Sequence, residues 1–533
     1  MKTDTLLDLF NDLIMNVRFC LGLKKYLSEK MTLQEARQII KNDMQKREEN
    51  FINLIRKGIF GYKKSPYLLL FELSHYEFKD VERLVLKHGI EGALKILRDD
   101  GVYFSIDEFK GRKPVVRKGK SFIIREKDFD NPYTLSCYKT KTGGTRSAGT
   151  RIALDFEFLT QHAAHHGMIA DIWNLKDLPQ LHLLPPFPFG IAMKNMLALS
   201  KLDIYFLKWI SLVNKRNIKF SLKSKVGFFY IMLLNKILGE GLIRPEFLDY
   251  KDIIKAVEFV DNILKKYKGC CIQTNISSAV RFCLVAQDNG ISLEGLRFRC
   301  SGEPVTNAKN KIIEGSNAKY ILHYALTEAG VVGSRCLRPT SVDDIHLFKG
   351  SFALISHIRQ VKDANIDVFL LTTLLPFAPK ILLNVEPGDY GKIETRKCGC
   401  PYDEFGLYDH IYDIRSFEKL CGDGATFFGP ELMRIIEEIL PSRFGGSNLD
   451  YQFVEKEDID GLTRLFVYIN PDINNIDEGN ILATIIGELK KKGEKYEVMA
   501  EVWARLGTIK VIRKHPIITE KGKLYPLHIL SGS

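Results

Sequence analysis

Four residues near the middle of the chain, Tyr324, Thr327, Glu328 and Gly330, are of types that could hold a nucleoside triphosphate and its magnesium. An aromatic ring can stack on a base, a hydroxyl can bond a phosphate oxygen, and a carboxylate is a hard oxygen ligand for magnesium. Glycine lets a ligand approach the backbone closely. They end a segment, 297–330, that reads Arg-Phe-Arg-Cys-Ser-Gly-Glu-Pro, a helix-like stretch, then Tyr-Ile-Leu-His-Tyr-Ala-Leu-Thr-Glu-Ala-Gly. The pattern predicts a strand over 296–300, a turn over 301–304, a helix over 307–314 and a second strand over 318–326. Strand, turn, helix, strand is the unit of a parallel sheet, whose ligands gather beyond the strand ends.

Two further stretches carry phosphate and sugar chemistry. Residues 138–151 read Tyr-Lys-Thr-Lys-Thr-Gly-Gly-Thr-Arg-Ser-Ala-Gly-Thr-Arg, crowding glycines, hydroxyls and cations into one loop. Backbone amides freed by glycine, with the hydroxyls, can wrap a triphosphate. A Walker A reading fails, because Thr150 stands where its lysine is required. Residues 385–391, Val-Glu-Pro-Gly-Asp-Tyr-Gly, set Asp389 on a tight turn where its carboxylate could accept both hydroxyls of a ribose. An ordinary Pro-Gly-Asp hairpin turn is the alternative.

Two clusters raise the question of a metal. His162, His165 and His166 fall on a predicted helix over 156–174, with His162 on the face of the other two. No His-Glu-x-x-His pattern is present, so these histidines are expected to line a pocket or cap a helix. Cys398-Gly399-Cys400 offers two thiolates, while a zinc site needs four ligands and the chain has no second Cys-x-x-Cys. Cys270, Cys271 or a histidine would have to close such a site through space, so zinc is disfavoured as a cofactor.

Taken in order, these motifs resemble the adenylate-forming superfamily of acyl-CoA synthetases and adenylation domains, and most of all its phenylacetate–CoA ligase-like branch. Tyr324 to Glu328 is similar to the family's Tyr-Gly-x-Thr-Glu signature, with Ala325 where glycine is usual. Gly302, Glu303 and Pro304 are similar to the turn that lines the family's adenine pocket. Thr142, Gly143, Gly144, Thr145 and Ser147 lie in a loop resembling its phosphate loop, which departs at Arg146 and Ser147. Asp389 matches the family's Gly-Asp, with Glu386 and Pro387 replacing an arginine and a threonine. The resemblance implies that Arg415 touches the ribose and that a hinge follows, where Phe417 replaces the usual aspartate or lysine. Several relatives also carry a Cys-x-Cys at 398–400. The ending His515-Pro-Ile-Ile-Thr-Glu-Lys-Gly-Lys resembles Pro-x-Thr-x-x-Gly-Lys with one residue added, which implies Lys523 as the catalytic lysine.

The activity so implied joins a carboxylic acid to ATP as an acyl-adenylate, with pyrophosphate released and magnesium held by Glu328. Lys523, Thr327 and Glu328 would be catalytic. The acyl group would then pass to a thiol, either coenzyme A or the phosphopantetheine of a carrier protein. The aromatic, proline-rich stretch 181–190 suggests an aryl or apolar acid. A rival reading is a catalytically weakened nucleotide-binding interaction protein of the same fold.

The elements that must position these residues follow from apolar spacing. The fold expected is α/β: a helical N-terminal layer over 1–100, a large adenylation domain over 101–414, and a small α+β C-terminal lid domain, mobile, over 415–533. Runs at 351–358 and 367–371 predict a hairpin, and 381–384 a further strand. Net charge is +12 in 533 residues. Without a basic tail or a nucleic-acid-binding motif that excess reads as diffuse surface charge, so no nucleic-acid partner is expected. No apolar run approaches the length of a membrane span. Asp4, Asp8 and Asp12 make the first segment an amphipathic helix rather than a secretion signal, and the 10 scattered cysteines suit reduced thiols. A cytoplasmic protein is expected; a homodimer is left open.

Overall fold

The computed structural model describes residue 19 and residues 21–134, 138–141, 151–184, 190–212, 243–248, 252–361, 364–416, 419–422, 425–428, 432, 434–458, 460, 462–474, 476–491, 494–517 and 527–529. Its centre is a twelve-stranded sheet. In chain order the strands are β1 (Gln180–Leu183), β2 (Phe206–Ser211), β3 (Pro245–Phe247), β4 (Cys270–Thr274), β5 (Leu296–Ser301) and β6 (Lys319–Leu326). They continue with β7 (Gly330–Arg335), β8 (Ile345–Leu347), β9 (Phe352–Val361), β10 (Ala364–Thr373), β11 (Asp389–Thr395) and β12 (Asp409–Ser416). The spatial order is β9-β10-β11-β12-β8-β7-β6-β5-β4-β1-β2-β3. Half the sheet, β3 to β6, pairs in parallel; from β6 onward every pairing is antiparallel.

The change of sense falls at β6–β7, where Thr327, Glu328 and Ala329 make a tight turn into Gly330, at φ 88°. That backbone conformation is left-handed, which glycine adopts without the Cβ clash other residues meet. A ladder bulge between Tyr324 and Ala325 re-aims the strand end just before the turn. The strand–turn–helix–strand expectation holds to within one residue: β5, a helix over Asn307–Gly315, then β6. Strand β4 is buried at every position, as parallel strands covered on both faces require.

Helix α1 (Leu33–Gln45) and helix α2 (Phe78–Asp99) precede the sheet in the chain, and their buried residues share one continuous core with it. Thr32 and Glu35 close a reciprocal capping box on α1. Helix α3 (Phe156–Ile172), capped by Asp155, is buried on nearly every side between α1 and the sheet. A Cβ on its Gly167 would stand 2.6 Å from the Cβ of Ala36, so only glycine lets the two helices approach this closely.

Residues 381–384, expected as a strand, are not one. Asn384 adopts φ 52°, and its side-chain amide donates to the carbonyls of Leu94 (2.8 Å) and Val102 (3.2 Å). Only isolated bridges remain around it, Asp130 with Lys380, Leu371 with Val385 and Phe104 with Val385. Two buried acceptors won over ladder pairing, a tertiary demand that local pattern does not carry.

A second, separate core lies further along the chain, with Leu432, Ile436, Phe453, Val467, Ile485 and Trp503 at its centre. Around it a four-stranded sheet contains Tyr451–Glu457, Thr463–Ile469, Ile509–Arg513 and Leu527–Ile529. It meets the helix Asn307–Gly315 through Lys309, whose Nζ donates to Thr463 Oγ1 at 2.8 Å, and through Thr306 and Glu457. No helix among the described residues is long and apolar enough to cross a membrane.

Candidate active site and metal centre

Tyr324, near the end of β6, donates from Oη to Asp389 Oδ2 at 2.9 Å. Both residues are buried. The phenol is held well above its ordinary range, by burial first, then by the Asp389 charge and hydrogen bond and by the Glu328 charge. Asp389 and Glu328 therefore both bear on one ring, although 60 residues of chain separate them. In the β11–β12 pairing Tyr390 faces Arg415 and Asp389 faces Ser416, which puts the arginine beside the acidic turn. Tyr324, Glu328 and Asp389 thus converge at one end of the sheet, with Arg415 across the β11–β12 ladder from Tyr390, the residue after Asp389.

Glu328 carries an ion pair with Lys110 at 2.7 Å, and Lys110 also lies 3.3 Å from Glu126. Nothing in the spacing of Lys110, far upstream at the C-cap of a four-residue helix, could have announced this partner. Glu303 is engaged locally: Oε2 accepts from Ser277 N (2.9 Å) and Ser277 Oγ (2.6 Å), tying the turn after β5 back to the preceding helix, Ile276–Asp288. Gly302 beside it has φ 87°. Glu386 and Pro387 also find their place here. Glu386 is 1% exposed, accepts from Ile106 N at 3.0 Å and pairs with Arg359. It anchors the Asp389 turn from below. Thr142, Gly143, Gly144, Thr145, Ser147, Phe417 and Lys523, and the aromatic loop at 185–189, lie outside the described residues.

Beside Gly330 is a small cavity lined by Phe158, His162, Ala329, Val331 and Phe352, among others. Its lining is mainly apolar, with Gln161, His162, His165 and Ser351 as the polar members. Arg299, wholly buried on β5, approaches His166 Nδ1, and His166 Nε2 lies 3.1 Å from His162 Nε2. A guanidinium only donates, so His166 Nδ1 accepts and its Nε2 carries the proton. That proton points at His162 Nε2, which leaves the His162 hydrogen on Nδ1. The side-chain amide of Asn195 lies 3.0 Å from the same Nε2, and its NH2 group is the end that suits this lone pair. His162 Nδ1 faces Gly330, 3.8 Å from where a Cβ would be. Burial holds both imidazoles well below their usual range, helped by Lys194 at His162 and by Arg299 at His166, so both stay neutral. The relay presents one N–H to the cavity.

The second cluster joins Cys336, His346, Cys398 and Cys400, whose ligand atoms all lie within 4.8 Å of one another. Cys336 and His346 flank a hairpin loop between β7 and β8, where Ser334 pairs with His346. Sγ of Cys398 is 3.6 Å from that of Cys336 and 3.5 Å from His346 Nε2; Cys400 Sγ is 3.2 Å from the same nitrogen. A tetrahedral zinc with ordinary bond lengths would set sulfurs about 3.8 Å apart and sulfur and nitrogen about 3.6 Å apart. His346 Nδ1 lies 2.7 Å from the carbonyl of Leu407, which fixes the proton there and turns the Nε2 lone pair toward the thiols. Gly399, at φ 73°, makes the knuckle between the two cysteines. Cysteine spacing alone left this set two ligands short; the hairpin supplies Cys336 and His346. Cys270 and Cys271 take no part in it and are buried in the main core.

No family model matches the sequence, and no curated protein matches it. Solved structures do resemble it. The structure of 2-hydroxyisobutyryl-CoA ligase in complex with 2-HIB-AMP and CoA is 12% identical, covers 94% of this chain and 91% of its own, and gives a TM-score of 0.49. The o-succinylbenzoate CoA synthetase of Bacillus subtilis is 10% identical over 96% of this chain and 97% of that one, with a TM-score of 0.43. An amide bond synthetase from Marinactinospora thermotolerans is 10% identical, with 77% and 72% covered and a TM-score of 0.43.

Proposed function

We propose that this protein is an adenylate-forming ligase of the phenylacetate–CoA ligase-like kind, activating a carboxylic acid with ATP and passing the acyl group to a thiol. The observation that carries the reading is the bond between Tyr324 and Asp389, with Arg415 on the adjoining strand and Glu328 bearing on the same phenol. A ring for a base, an acid and a guanidinium for a ribose, and a carboxylate for a metal are what a bound nucleotide asks of a protein.

In this reading the acid's carboxylate attacks the α-phosphorus in line, and pyrophosphate leaves. Glu328 would hold the magnesium, which neutralises charge on the leaving group; one carboxylate, with waters and phosphate oxygens, suits that ion. Thr327 bonds the phosphate, the loop containing Thr142, Gly143, Gly144, Thr145 and Ser147 wraps the pyrophosphate, and Gly302, Glu303 and Pro304 border the adenine. Lys523 bridges the attacking carboxylate and the α-phosphate. The segment 415–533, as a mobile lid, then exposes the acyl-adenylate to coenzyme A or a carrier-protein phosphopantetheine. These substrates suit a cytoplasmic protein.

The cavity at Gly330 supports an aryl or apolar acid that also carries one hydrogen-bond acceptor, placed to meet His162 Nδ1–H. Pyrophosphate release should appear with some member of a panel of aryl, acyl and amino acids, and product mass with coenzyme A or a carrier protein would name the acceptor. Nucleotide binding without release across the panel would favour the interaction-protein reading and overturn this one. With a substrate in hand, His162→Leu is expected to raise KM for the acid about tenfold, the worth of one good hydrogen bond, while kcat changes little. An unchanged KM would remove His162 from acid recognition.

A further inference from the structure

We infer that Cys336, His346, Cys398 and Cys400 bind one structural Zn2+, and that this ion latches the hairpin loop whose Asp343 holds Arg415 in place. The ligand set is complete within the chain, three thiolates and one imidazole, so no position is left open for a substrate. The ligand separations of 3.6, 3.5 and 3.2 Å are close to those of a tetrahedral site, and the sulfurs have the backbone support such sites use: Arg338 N lies 3.3 Å from Cys336 Sγ and Cys400 N lies 3.4 Å from Cys398 Sγ. Three cysteines and a histidine are soft and borderline donors, suited to zinc rather than to magnesium or calcium. Bare thiols packed this closely would repel once ionised, and none is close enough to another to be a disulfide.

The latch is read from what lies between the first two ligands. Asp343, 2% exposed, turns both carboxylate oxygens onto β12. Oδ1 accepts from Asp413 N (3.1 Å), and Oδ2 accepts from Ile414 N (3.1 Å) and from Arg415 Nη1 (3.2 Å). Asp413 sits at φ 54°, a left-handed conformation that costs a non-glycine residue and needs an external hold. Its neighbour Asp344 pins the same loop the other way, to His410 at 2.7 Å and to Arg396. The loop thus has metal ligands at both ends and the clamp in its middle. Losing the ion removes a side-chain tie from both ends of an eleven-residue span, from Cys336 to His346, and so loosens the carboxylate that orients Arg415.

The metal needs no functional reading to be tested; the role of Arg415 rests on the nucleotide reading above. Elemental analysis of protein purified without added metal should return about one zinc per chain, and Cys398→Ser should return well under half of that. Chelation should then speed hydrogen exchange at the Asp413 and Ile414 amides by about tenfold or more, a readout independent of catalysis. Asp343→Asn should keep its zinc, show the same faster exchange, and weaken ATP binding several-fold. No metal, iron in place of zinc, or a Cys336–Cys398 disulfide in the purified protein would overturn the site. Zinc present with unchanged exchange after chelation would overturn the latch. If the intact protein binds no ATP, the nucleotide reading fails while zinc content and amide exchange still decide the metal and its clamp.

Discussion

Lys523→Ala is expected to slow acid-dependent pyrophosphate release by about a thousandfold or more while changing ATP affinity only a few-fold. The asymmetry follows from when the contact is made. A lysine that bridges the attacking carboxylate and the α-phosphate gains most as negative charge builds between them, so removing it lowers kcat with little change in ground-state binding. A thousandfold corresponds to about 4 kcal/mol of transition-state stabilisation, within reach of a charge acting in a site shielded from water. Single-turnover pyrophosphate release, measured beside an ATP-binding isotherm on the same preparation, checks both halves. Wild-type release by the variant would end the assignment of Lys523. A loss of ATP affinity equal to the loss of rate would instead make it a simple binding residue. The same assay on Lys521→Ala gives the neighbouring lysine as control.

Arg359→Met is expected to destabilise the protein by about 3 kcal/mol or more near pH 8, because it leaves the Glu386 carboxylate buried without its cation. Glu386 is 1% exposed, and burial already raises its pKa against the opposing pull of Arg359. Removing the guanidinium pushes that pKa further up. The sign then follows from linkage: an acid whose pKa is higher in the folded chain than in the unfolded one weakens folding as pH rises between the two values. The variant should therefore come closest to the wild type below the carboxyl's ordinary range, near pH 4, and fall away as pH rises. Denaturant titrations at pH 5 and pH 8 measure the trend, and an equal deficit at both would mean lost packing rather than a stranded charge. Because Ile106 N also bonds Glu386, and Asp389 follows three residues later, the same variant should loosen nucleotide binding.

Glu386 shows where reading by motif falls short. Against the family pattern it is a departure, an acid in the place of an arginine. In the folded chain it has a cation on β9 and a backbone donor from residue 106 for partners. The departure is local repair: the turn is held by a different pair of charges, not left unsupported. Lys110 is similar. It meets Glu328 across 218 positions of sequence, and its own neighbourhood, a short helix with Phe109, gives no sign of it.

The sequence by itself determined the unit from 296 to 326, the hairpin of β9 and β10, and the identity of the residues that meet at Tyr324. Hydrophobic period and glycine placement act over a few residues, and they are written where they act. It also named Cys398 and Cys400. Only the tertiary structure decided that Cys336 and His346 complete their set, that Arg299 fixes two imidazole tautomers through His166, and that Asn384 abandons its strand for two distant carbonyls. In each case the deciding partner is brought by strand pairing or helix packing from far along the chain. Burial then makes an unmet donor, charge or lone pair too costly to leave alone, and that cost has no signature in spacing.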